Sequence, residues 1–68
     1  MDVLEKARIR ITNWIDHNDL HQKEYELFSD QLEKAGKMKS AEQIRDMAVL
    51  TAKSIDCLNS ALEYLEKE

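Results

Sequence analysis

The chain has no proline, a single glycine, Gly36, and a single cysteine, Cys57, in 68 residues. Without proline there is no strong internal helix breaker, and one glycine leaves few places for tight turns, so long uninterrupted helices are expected. A lone cysteine excludes an internal disulfide and the paired-cysteine spacing of a structural zinc site. It also fits a reducing cytoplasm. Long apolar runs are missing: the longest, residues 47–50, falls far short of the roughly 20 residues of a membrane-spanning helix. The first residues carry no basic-then-apolar leader, so a membrane is not an expected partner. Basic charge is scarce too, with 10 Lys and Arg against 14 Asp and Glu and a net charge of −4. No basic face for a polyanion follows, and nucleic acid is not an expected partner.

What is present is charge (35%) interleaved with hydrophobic residues (43%) at helical spacing. Asp2 followed by Glu5 predicts a capping box that starts a first helix at about residue 3. From there Leu4, Ala7, Ile11, Trp14, Asn18, His21, Tyr25, Phe28, Leu32 and Ala35 recur at alternating intervals of three and four, a heptad seam running to about residue 35. Gly36, flanked by Lys34 and Lys37, closes that helix. Thr12 and Asn13, two weak helix formers together, mark a place where it could kink. Ser40 and Gln43 form a second capping box, which predicts a second helix from about 41 to 67. Its seam is Ala41, Ile44, Ala48, Thr51, Ile55, Leu58, Leu62 and Leu65. The short connection makes the two helices antiparallel neighbours, and Arg8 and Glu66 are expected to meet across the open end. The fold class is all-α, a single helical-hairpin domain.

The second helix carries another stripe, Met47, Leu50, Ser54, Cys57, Ala61 and Tyr64, beside the seam used by the first. Two stripes need two partners, and a chain this short otherwise lacks a core. A homodimer forming a four-helix bundle satisfies both stripes, with this second stripe as the dimer interface.

His17, His21 and Glu24 fall at i, i+4 and i+7, on one side of the first helix within two turns. Imidazoles one turn apart are a common pair for a divalent metal such as nickel or zinc, and the carboxylate is a candidate third ligand. Asn18, Asp56 and Cys57 are additional candidates, because this level of the first helix faces residues 51–56 of the second. The alternative is a polar layer in which Asn18 and His21 hydrogen-bond each other, Thr51 or their symmetry mates and fix register. Trp14 reads as core, and Cys57 as a small apolar filler with no neighbour to activate it. No Ser/His/Asp order, glycine-rich phosphate loop or inward carboxylate pair can be assembled. The chain reads as a non-catalytic binding module, or as a structural adaptor for a protein partner, rather than as an enzyme.

Trp14-Ile15-Asp16-His17-Asn18-x-x-His21, then Tyr25-x-x-Phe28, the Ala35-Gly36 turn, Ala41-x-x-Ile44 and Leu58-x-x-Ala61-Leu62 together resemble a group of short prokaryotic helical-hairpin proteins with a W-I-E-H-N-x-x-H signature. This chain has Asp16 in place of the glutamate, and Asp56-Cys57 where an asparagine is usual nearby. The resemblance implies company with nickel-handling proteins and puts the weight on His17, Asn18 and His21. A more distant likeness is to half of a ferritin-like four-helix bundle. The Glu-x-x-His motif of its di-iron site occurs nowhere in this sequence.

Overall fold

A computed structural model describes residues 2–68. Two helices, α1 (Val3–Lys34) and α2 (Met38–Lys67), fold into an antiparallel hairpin. The Asp2 carboxylate accepts from the Glu5 backbone N–H at 2.8 Å, as the capping pattern predicts, and satisfies one of the free donors of the first turn. α1 then runs unbroken through Thr12 and Asn13, with the Thr12 hydroxyl donating to the Arg8 carbonyl inside the helix.

The turn at Gly36 explains why α2 begins earlier than the Ser40 capping box predicts. Gly36 has φ +80, its N–H donates to the Glu33 carbonyl, and the Lys37 N–H donates to the Leu32 carbonyl, the paired bonds of a Schellman closure. The chain has therefore reversed by Lys37, whose carbonyl already accepts from Ala41. Ser40 lies inside the first turn of α2, and the helix starts on Lys37 with no side-chain cap.

The two helices meet through small residues. Among the described residues Ser29, Ala41, Ala48 and Thr51 are the buried positions, and the two hydroxyls are satisfied within their own helices, Ser29 by the Glu26 carbonyl and Thr51 by the Met47 carbonyl. The predicted α2 seam holds throughout: Ile44, Ile55, Leu58, Leu62 and Leu65 are all half-buried. The α1 seam is rotated from expectation. Ile11, Asn18, Tyr25 and Leu32 face α2, and Ala7 and His21 of the expected seam are half-buried with them, but Ile15, Gln22 and above all Ser29 also turn inward, while Trp14 and Phe28 remain 50% and 53% exposed. Helices that approach through alanine, serine and threonine leave no room between them for an indole or a phenyl ring, so those rings swing to one side.

The hairpin is a slab of 50 × 18 × 11 Å with a radius of gyration of 15.5 Å, against about 11 Å for a globular chain of this length. Its accessible surface is 5355 Å². A compact monomer of the same mass would expose about 4,500 Å².

Candidate functional site

The two broad faces of the slab differ in chemistry. On one, the Arg8 Nε donates to Glu66 Oε1 at 2.7 Å across the open end, the pair expected from the sequence. At the closed end Arg45 Nη2 donates to Asp30 Oδ1 at 3.2 Å and Glu33 Oε2 at 2.9 Å. The hydrogen bond and charge of Glu66 raise the Arg8 guanidinium above its ordinary pKa, and the bond to Glu33, with that to Asp30, does the same for Arg45. Arg8, Thr12, Asn59, Leu62, Glu63 and Glu66 line a shallow groove on this face.

The opposite face is apolar. Trp14 and Asn18 share a groove with Ser54, Cys57 and Leu58, which puts the displaced aromatic side of α1 on the same face as the second stripe of α2. Residues seven apart keep the same side of a packed helix, so Ala7, His21 and Phe28 join Trp14, and Met47, Leu50, Ala61 and Tyr64 join Ser54 and Cys57. Leu50 is 55% and Tyr64 61% exposed. Every residue predicted for the dimer interface is exposed on this face. Trp14 and Phe28 belong to it too, although the sequence pattern assigned them to the intramolecular seam. The signal that could have moved them was the run of small residues at Ala41, Ala48 and Thr51.

His17 and His21 lie on the same side, halfway along α1. Their Nε2 atoms are 3.0 Å apart, with ring centroids at 4.5 Å and planes at 86°. His21 is held from two other directions: its Nδ1 is 3.5 Å from Glu24 Oε2, and its ring stacks on Tyr25 at 6.0 Å. Glu24 therefore takes the far nitrogen of His21 and does not converge with the two Nε2 atoms as the expected third ligand. Asp56 and Cys57 do not complete a set either. Among the described residues no group of three or more His, Cys, Asp and Glu side chains is arranged to hold a metal ion. The polar layer expected as the alternative also differs in detail, since His21 bonds to His17 and the Thr51 hydroxyl to its own helix, neither to Asn18.

Among the described residues no helix is long and apolar enough to cross a membrane. No curated protein and no solved structure matches the chain. A family model does match, over residues 7–65, which takes in nearly all of both helices and the turn between them. The chain belongs to the family DUF8180, described as a domain of unknown function.

Proposed function

We propose that the hairpin is a non-catalytic helical binding module that works as a homodimer, two copies closing their apolar faces into a four-helix bundle. The observation that carries this reading is the set of exposed apolar side chains on one face, Trp14, Phe28, Met47, Leu50 and Tyr64, on a hairpin with more surface than a compact monomer. The 5355 Å² of the hairpin exceeds the compact expectation by roughly 900 Å², close to the roughly 800 Å² that each partner contributes to a standard interface. The cover has to be present whenever the chain is folded, because the four small residues buried among those described are too little core for an independent domain. A second copy meets that condition. Trp14, Phe28, Met47, Leu50, Ala61 and Tyr64 carry no charge, so this apolar part of the face can meet itself without like-charge repulsion, with Glu24 at its edge.

The test is sedimentation equilibrium of the full chain across a concentration series, with Leu50→Lys on the apolar face and Leu20→Lys elsewhere on α1. Dimeric wild type, dimeric Leu20→Lys and a Leu50→Lys variant shifted to monomer and partly unfolded are the expected outcomes. A wild type that stays monomeric at high concentration and unfolds cooperatively would overturn the reading, and would point to an adaptor whose face is covered by a different protein.

A second reading, binding of a divalent metal ion such as zinc or nickel by His17 and His21, is favoured by the 3.0 Å separation of their Nε2 atoms.

A further inference from the structure

The positions of His17 and His21 along the helix bear on how two copies would meet. α1 spans Val3–Lys34, so its midpoint falls between Asn18 and Asp19, and the histidine pair is centred half a residue away. The Arg8–Glu66 pair sets the antiparallel register of the hairpin, and by that register the α1 midpoint lies level with the step from Ile55 to Asp56. The exposed stripe of α2, from Met47 to Tyr64, is centred on that same step. A twofold axis lying in the apolar face, perpendicular to the helices at this level, therefore superposes both stripes on themselves with α1 antiparallel to its mate.

Side-chain size fits this axis at two levels, and at the ends of the α2 stripe Met47 meets the partner's Tyr64, two apolar side chains. The axis sets Ala7 within two residues of the partner's Phe28, and Leu50 level with the partner's Ala61, large against small in each case. A parallel arrangement would set Phe28 against itself. The same axis brings the two histidine pairs to within about 1.5 Å of a common level, at a rise of 1.5 Å per residue.

Each pair has the nitrogen separation that a chelate needs. Two nitrogens 3.0 Å apart can both lie about 2.0–2.1 Å from one point, subtending roughly 95° there. Among the described residues one chain brings two ligands together and no third; the second copy supplies the other two. Glu24 Oε2 lies 3.5 Å from His21 Nδ1, the ring nitrogen not used toward His17, and is the positioning residue; an ion would displace the proton that the two Nε2 atoms share. Imidazole ligands suit zinc, nickel and copper. We propose that His17 and His21 of two copies, meeting across this axis, hold one divalent transition-metal ion between four imidazole nitrogens. The site rests on the homodimer reading and is incomplete without the second copy.

The experiment is native mass spectrometry of the tag-free, chelator-stripped chain, titrated with zinc chloride and separately with nickel chloride. One ion per two chains is expected, with tighter dimerisation when metal is present. His17→Ala and His21→Ala should each abolish uptake while circular dichroism shows retained helicity, and Glu24→Gln should weaken uptake about 10- to 100-fold. If a histidine variant loses helicity, cobalt(II) on the wild type decides: intense visible bands of a four-coordinate ion support the site, and the weak bands of a six-coordinate ion overturn it. A dimer that takes up no metal, or one ion per chain, overturns the shared site and leaves the dimer standing. A chain that stays monomeric with and without zinc overturns the dimer reading, and the site with it.

Discussion

The two faces of the hairpin solve different problems. On the ion-paired face, charges on one helix find opposite charges on the other, Arg8 with Glu66 and Arg45 with Asp30 and Glu33, and water covers the rest. The apolar face presents Trp14 and Phe28 beside Leu50 and Tyr64, each about half exposed or more, with no pairing on its own chain. A face of the first kind is finished in one chain; the second leaves its apolar side chains in water, and the proposed second copy would cover them.

The largest effect that can break this comparison is Trp14→Ala. In a lone hairpin an indole that is 50% exposed contributes only part of its burial energy, so the substitution would cost about 1–2 kcal/mol. Covered by a second copy it should cost about 3 kcal/mol or more per chain. Denaturant unfolding at two protein concentrations separates the cases. The larger, concentration-dependent loss is expected, while Leu20→Ala, away from the apolar face, should stay within about 0.5 kcal/mol of wild type. Equal small losses at both concentrations would mean that the two faces are alike in being simply solvated.

Much of this architecture was legible in the sequence. Asp2 and Glu5 marked the start of α1, Gly36 its end, and the alternation from Ala41 to Leu65 the inward face of α2, because caps, left-handed turns and heptads are local rules. Arg8 and Glu66 were legible once the turn fixed register. The rotation of α1 was not. Its pattern offers two overlapping seams that share Ile11, Asn18, Tyr25 and Leu32, and hydrophobicity favours the one containing Trp14 and Phe28. The structure shifts toward the other, burying Ser29 and half-burying Gln22 while Ala7 and His21 stay half-buried and Trp14 and Phe28 swing out, because the partner surface is built from small side chains that demand close approach. The role of Glu24 was illegible for a similar reason. Spacing puts it on the side of His17 and His21, but only the rotamers show it reaching Nδ1 rather than the shared Nε2 gap. The early start of α2 followed from a closure bond, Lys37 to Leu32, that a capping pattern centred on Ser40 does not register.

Asn18 sharpens the comparison at an intermediate magnitude. It is half-buried and lines the groove with Trp14 and Cys57, where the α1 seam meets the apolar face. A single polar residue at such a position restricts register at some cost in stability. Asn18→Leu is therefore expected to raise stability by about 1 kcal/mol while native mass spectrometry shows a less uniform oligomeric state. A variant that is less stable yet still a uniform dimer would mean that the amide makes a specific bond in the assembled bundle.

The smallest expected effect is on the ion-paired face. Arg45 bridges two carboxylates of α1 one turn apart, so Arg45→Gln removes a cation and also leaves Asp30 and Glu33 to repel each other. Arg8 meets one carboxylate, and Arg8→Gln should shift the melting temperature less. Both guanidinium pKa values are raised, which places the folded value above the unfolded one. Their contribution is therefore complete below the ordinary arginine range and is lost only above it, so these pairs add no pH dependence at neutral pH. Salt is the better probe. At about 1 M salt, where the screening length is about 3 Å, the two variants should melt with wild type, because exposed pairs contribute little once screened. If the Arg45→Gln deficit persists there, its aliphatic stem is packing against α1, and the ion-paired face too would derive part of its stability from apolar contact.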